Sequence, residues 1–88
     1  ASAAVLVTEF KERENGVIYI QADIYVERDS HKRMLIGDKG AQLKKIGARA
    51  RLEIERLVGS RVFLELWVRV EPNWRKSEQS LKRFGYQQ

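Results

Sequence analysis

The sequence has no cysteine, one proline, one methionine and one histidine. Without cysteine there is no disulfide framework and no thiolate zinc site, two devices that often stabilise domains of this size. No run of about eighteen apolar residues exists to span a bilayer. The opening ASAAVLVTEF lacks the basic region and apolar core of a secretory signal. Secretion gains no support, and the cytoplasm is the expected compartment. The carboxylates Asp23, Glu65 and Glu71 show no ligand spacing, so neither a metal nor a cofactor is expected. His31 stands beside Asp29 and Ser30, but neighbouring residues on a helix do not face one another productively. It is expected to be a surface histidine, and no catalytic residue is expected.

What is present is enough for one small domain. Eighty-eight residues with 43% apolar content and eight aromatics support a single modest core, with no space for a second lobe or a deep enclosed active site. A compact binding module fits better than an enzyme.

Residues 4–10, AVLVTEF, read as a strand, and Asn15-Gly16 offers the positive-φ pair of a tight hairpin. In the next segment Ile18, Ile20, Ala22, Ile24 and Val26 alternate with Tyr19, Gln21, Asp23 and Tyr25, the pattern of a half-covered strand. Asp29 or Ser30 can cap a short helix through HKRMLI that stops at Gly37. From Ala41 to Val58, Leu43, Ile46, Ala50, Ile54, Leu57 and Val58 recur at helical steps, with Gly47 on the same stripe, and Gly59 is the stop. RVFLELWVRV, residues 61–70, alternates strictly and ends before Pro72. A last helix is expected from Trp74 to Phe84, anchored by Trp74, Leu81 and Phe84.

The expected fold is therefore α+β: a three-stranded sheet with helices packed on one face. A single domain occupies residues 1–88, with its core over 4–72 and a C-terminal helical extension over 73–88. The other sheet face carries Tyr19, Tyr25, Phe63 and Trp67 among polar residues. Such a face can stack bases, but more often it is partly exposed or contacts another domain.

The charge is localised. Residues 28–56 hold nine Lys and Arg against four Asp and Glu, while the remaining eight of each cancel, so the whole net charge of +5 lies in this segment. The segment also contains IGDKG, two glycines three apart between the two helices. Such a turn leaves the second helix's N-terminal amides free as an anion site. Gly37 and Gly40 lack the Cβ atoms that would hold a sugar-phosphate backbone away, and Lys39 adds a charged contact. Lys44 and Lys45 oppose the helix macrodipole in the first turn, which makes more sense with an anion bound. Lysines around a plain helical corner are the competing reading, and GxxG alone is a weak pattern.

The IGxxG turn between two helices, after a β-hairpin and before a third strand, resembles a type II K-homology (KH) domain. DIYVERDSHKRMLIGDKGAQLKKIGARAR, VFLELWVRVEPNWRK and LKRFGY are more specifically similar to the C-terminal KH domain of the Era family of bacterial GTPases. Two departures accompany this likeness. There is no G-x-x-x-x-G-K-[ST] loop, so no GTP hydrolysis is expected on this chain, and the chain begins in the first strand without the helix that normally precedes it, as expected of an excised or truncated domain.

The resemblance implies a module that binds single-stranded RNA, near the 3′ end of small-subunit ribosomal RNA, during ribosome assembly. Its implied partners are that RNA, the small ribosomal subunit and a GTPase domain; peripheral membrane association cannot be read from the sequence. Carried over by position, Gly37, Asp38, Lys39 and Gly40 would hold the RNA backbone, with Asp38 turned to solvent. Ile36, Leu43 and Ile46 with Ile24 and Val26 would wall the base groove, although Ile24 and Ile46 read equally as core. Arg28, Lys32, Arg33, Lys44, Lys45 and Arg49 would form the surrounding basic field. A protein-docking module, or a generic KH domain for single-stranded nucleic acid, remains as an alternative.

Overall fold

The computed structural model describes residues 3–72. The expected helix over 74–84 lies outside them. In chain order the elements are β1 (Ala3–Glu12), β2 (Ile18–Val26), α1 (Asp29–Ile36), a 3-10 turn (Asp38–Gly40), α2 (Ala41–Val58) and β3 (Val62–Val70). The sheet order is β1-β2-β3, with β2 antiparallel to β1 and parallel to β3. A parallel pair cannot be joined by a tight turn, so the chain crosses between β2 and β3 through both helices.

The hairpin loop differs from the expected two-residue turn. Five residues join β1 to β2: the Gly16 amide donates to the Arg13 carbonyl (2.9 Å), and the Asn15 side chain accepts from the Val17 amide (3.0 Å). Only Gly16 has positive φ (82°); Asn15 works through its side chain instead. A register shift between Val7 and Glu9 marks a bulge in β1, where Thr8 Oγ1 donates to the Gln21 carbonyl.

The alternation in β2 places Ile18, Ile20, Ala22, Ile24 and Val26 in the core, joined by Val62 and Val68 of β3. The helices pack on β2 and β3. They do not cover all of that sheet face: Val5, Val7 and Phe10, opposite Ile24, Ala22 and Ile20 across the β1–β2 ladder, are 66%, 55% and 60% exposed. Apolar side chains of β1 are thus open on the core-facing side among the described residues.

Helix boundaries depart from expectation in two places. The N-cap of α1 is Arg28, with extended backbone and no side-chain capping bond, and Asp29 instead falls in the first turn, where its charge favours the helix dipole. Leu57 is 85% exposed, although the periodicity put it on the buried stripe. The Glu55 carboxylate accepts the amide of Val62, the first residue of β3, at 2.9 Å, so α2 overhangs the sheet beyond that point. Gly59, in left-handed conformation, ends the helix by donating to the Glu55 carbonyl.

The outer sheet face is an ordered aromatic surface. Tyr19 and Phe63 stack at 5.2 Å between centroids, and the Arg13 guanidinium lies over Tyr19 at 4.6 Å. Arg69 lies over Trp67 at 5.4 Å and pairs with the buried Asp23 at 3.5 Å, while the Trp67 indole N–H donates to Glu65. Among the described residues no helix is long and apolar enough to cross a membrane.

Candidate nucleic-acid interface

The path from α1 into α2 is a turn that only particular residues can take. Gly37 (φ 74°), Lys39 (φ 53°) and Gly40 (φ 80°) have positive φ, and the Gly37 and Gly40 amides donate to the Arg33 and Gly37 carbonyls. Gly37 is a glycine for two reasons. A Cβ there would meet Gln42 Cβ at 2.6 Å and its amide nitrogen at 3.0 Å, in a backbone conformation already unfavourable to an L side chain. At Gly40 the conformation decides, because no atom of the described residues lies within 4 Å of an added Cβ. Lys39 is the sole non-glycine residue with positive φ among those described, a strain of the kind that collects at binding loops. No side chain caps α2, and its own first turn carries no acid, so within the helix nothing offsets the positive end of its dipole at the turn.

The turn opens onto a groove. Gly40, Leu43, Lys44, Gly47, Ala48 and Arg51 of the turn and α2 face Leu64, Glu65 and Leu66 of β3 across about 500 Å³. The strand that walls it is β3, at the edge of the described sheet: its outer side bonds no other described strand, and its Val62 amide there donates to Glu55. Ile24 and Val26 of central β2, expected in this wall, are instead buried at 7% and 1% exposure. Ile36 and Ile46 are half-buried outside the groove's lining.

The basic field divides around α2. Lys44 lines the groove, whereas Lys45 and Arg49 line a separate depression with Gln42, Ile46, Ala48 and Leu52. One helical step of about 100° carries a side chain from one face to the next. Arg28, Arg33 and Lys39 are exposed, as is Asp38, and Lys32 is half-buried. Among the described residues none of these cations makes an ion pair, in contrast to Arg51 with Glu55 (3.1 Å), Arg56 with Glu53 (3.1 Å) and Arg69 with Asp23. Cations with no ion-pair partner among the described residues, lying on and around one turn, suit a polyanion.

Glu55 has a supporting role. It accepts from the Val62 amide and from Arg51, and the Val62 hydrogen bond, aided by Arg51, holds its carboxyl below the usual glutamate range. This contact ties α2 to β3 and fixes the two groove walls relative to each other.

Sequence reasoning missed Ala48, Arg51, Leu64, Glu65 and Leu66 as groove residues and read Gly47 only as a packing position. Arg51 was traceable: with Lys44 and Gly47 it repeats at helical spacing. The β3 residues were not, because strand alternation does not say which strand lies at the edge. His31, expected at the surface, is half-buried, its Nδ1 enclosed and without a hydrogen-bond partner among the described residues, in a cavity shared with Ala3, Val26, Met34, Leu35 and Gln42. Its place on α1 turns it toward the β2 end. Among the described residues no three His, Asp or Glu side chains are grouped to hold a metal ion.

A three-stranded mixed sheet carrying two helices joined by an IGxxG turn is a KH architecture, and the KH domain family model matches residues 2–75. The chain belongs to the KH domain family. Within it, the chain is similar to the GTPase Era of Ruminiclostridium cellulolyticum, 60% identical over 82 residues, which cover 93% of this chain and 28% of that protein. It is 57% identical over 86 residues to the GTPase Era of Geotalea daltonii, covering 98% and 29%. The chain thus spans less than a third of the length of these relatives. A crystal structure of an Aquifex aeolicus Era variant bound to GDP·AlF4− superposes with a TM-score of 0.83 at 42% identity, over 97% of this chain and 29% of that one. A structure of Era with MgGDPNP and nucleotides 1506–1542 of 16S ribosomal RNA matches with the same score, identity and coverage.

Proposed function

We propose that this chain is a single-stranded RNA-binding module that takes small-subunit ribosomal RNA near its 3′ end during ribosome assembly, as the KH portion of an Era-like GTPase in the cytoplasm. The observation that carries this reading is the groove between α2 and β3, opening at a glycine turn beside cations that have no carboxylate partner among the described residues. The solved Era complex containing nucleotides 1506–1542 of 16S ribosomal RNA, at 42% identity, supports the choice of RNA.

In this reading each part of the site has a separate task. The backbone of Gly37, Asp38, Lys39 and Gly40 receives the sugar-phosphate chain, with Lys39 and Lys44 against phosphates and Asp38 turned to solvent. Arg28, Lys32, Arg33, Lys45 and Arg49 supply a wider field that speeds encounter and adds affinity without reading sequence. Leu43, Leu64 and Leu66 offer apolar surface to bases, and the free edge of β3 supplies hydrogen-bonding groups for selectivity. The module performs no chemistry; GTP hydrolysis falls to the part of the relatives that this chain does not match.

The test is fluorescence anisotropy with labelled RNA of nucleotides 1506–1542 beside a scrambled RNA, for the wild type and Lys39→Asp. Aspartate tolerates left-handed backbone better than most residues, so circular dichroism is expected to show both proteins folded. Preferential binding by the wild type, lost in the variant, supports the reading; equal binding by the two proteins removes the turn from the site.

A second reading applies to the outer sheet face. Phe63 and Trp67 are 54% and 47% exposed, and the face's arginines already lie on aromatic rings, with Arg69 also paired to Asp23. Exposed aromatics with arginine and little free positive charge suit a protein contact more than an RNA one.

A further inference from the structure

We propose that Glu55 is a positioning residue for RNA selectivity: it ties Arg51 to the start of β3 and so keeps that cation from acting as a free phosphate contact. The proposal rests on the RNA-binding reading of the groove, which Glu55 itself does not line.

The two cations that line the groove are held differently. Lys44, near the turn, has no ion-pair partner among the described residues. Arg51 lies two helical turns further on, about 10 Å along the axis, and its Nη1 donates to Glu55 Oε2 at 3.1 Å. The same oxygen accepts the Val62 amide at 2.9 Å. Glu55 cannot follow Arg51 into the groove without giving up that second bond, so a backbone group of β3 anchors the guanidinium. The turn end of the groove thus presents free charge, and the far end presents charge that is already partnered.

Local reasons do not account for a carboxylate at this position. Glu55 is in the last turn of α2, where an acid opposes the helix dipole. Arg51 precedes it at i,i+4, the less favourable order for an ion pair on a helix. Glutamine would accept the Val62 amide through its carbonyl oxygen without the first of these costs. What glutamine cannot do is neutralise Arg51 and hold it by a charge-assisted bond. The consequence falls on selectivity. A free cation adds affinity for any phosphate chain, whatever its sequence, whereas a tethered one is withheld from that uniform attraction.

The experiment titrates the 88-residue wild type, Glu55→Gln and Glu53→Gln by anisotropy, at several salt concentrations, with labelled RNA of nucleotides 1506–1542 and with a scrambled RNA. Glutamine keeps the acceptor for Val62, so thermal unfolding is expected to show every variant folded. Glu53 pairs with Arg56 at 3.1 Å and neither lines the groove, so Glu53→Gln makes the same change in net charge elsewhere on α2. In Glu55→Gln the released Arg51 should steepen the slope of log affinity against log salt by about 0.7, the value of one single-strand phosphate contact. Affinity for the scrambled RNA should rise about fivefold at 0.1 M salt, narrowing the preference for the matching RNA. Glu53→Gln should leave the slope as it is, and Glu55→Gln should not alter the slope in an Arg51→Gln background. An unchanged slope in Glu55→Gln, an equal change in Glu53→Gln, or a change that persists without Arg51 would overturn the proposal. A loss of affinity for both RNAs would make Glu55 a purely structural residue and overturn it as well. If the wild type prefers the matching RNA and Lys39→Asp does not, those failures leave the RNA-binding reading intact; if the wild type itself binds no RNA, both readings fall.

Discussion

The two glycines of the turn should respond differently to the same substitution. Both have positive φ, which costs an L side chain roughly 1–2 kcal/mol. Alanine recovers about 0.4–1 kcal/mol by restricting the unfolded chain. At Gly40 no heavy atom of the described residues lies within 4 Å of the added Cβ, so Gly40→Ala should cost about 1 kcal/mol. At Gly37 the new Cβ would stand 2.6 Å from Gln42 Cβ and 3.0 Å from its amide nitrogen, where carbon contacts are normally about 3.5–4.0 Å. Neither atom is the free end of a side chain; both belong to the first turn of α2, which must shift at a cost of about 1–3 kcal/mol. Gly37→Ala should therefore destabilise by about 2–4 kcal/mol in all. In a domain of this size each kcal/mol lowers the melting temperature by about 4–8 °C. Calorimetry or thermal circular dichroism should show a loss for Gly37→Ala at least twice that for Gly40→Ala. Equal losses, or a larger one at Gly40, would refute the steric account of Gly37.

Three further outcomes are expected. If the turn and groove engage about four nucleotides, RNA affinity should fall about fiftyfold between 50 and 200 mM salt, and anisotropy titrations insensitive to salt would remove phosphate contacts from the mechanism. The Glu55 carboxyl is held below its usual range by the Val62 amide and Arg51, so its contribution is complete above the unfolded-state pKa and is lost as pH falls through the lower folded value. Glu55→Gln should accordingly flatten the acid limb of the stability profile measured by urea unfolding, and an unchanged limb would rule Glu55 out as its source. Trp67→Ala, on the outer face, should leave RNA affinity within about twofold of wild type; a large loss in a folded variant would bring that face into the RNA site.

Local pattern carried much of the fold. Glycines placed every helix boundary after Ile36, because positive φ is a property of single residues: Gly37, Gly40 and Gly59 all have it. The alternation in β2 predicted its core side chains, since a strand's period of two does not depend on its neighbours. The turn and its cations were legible for the same reason, as consecutive residues whose chemistry is local. The α1 cap was not, because Asp29 and Ser30 compete with Arg28 for a boundary set by how the chain leaves β2. Nor was the exposure of Leu57, which depends on where β3 begins beneath α2.

By itself, then, the sequence determined a KH-type order of elements, a glycine turn of restricted backbone conformation and the concentration of positive charge beside it. Tertiary structure decided which strand walls the groove. Parallel pairing of β3 with β2 buries Ile24 and Val26 in the centre of the sheet and leaves Leu64, Glu65 and Leu66 at its edge opposite α2. The same packing puts Lys44 and Arg51 in the groove and turns Lys45 and Arg49 away from it. The physical reason is range: φ preference, period and charge act within a few residues, whereas a groove exists only between surfaces that distant parts of the chain bring together.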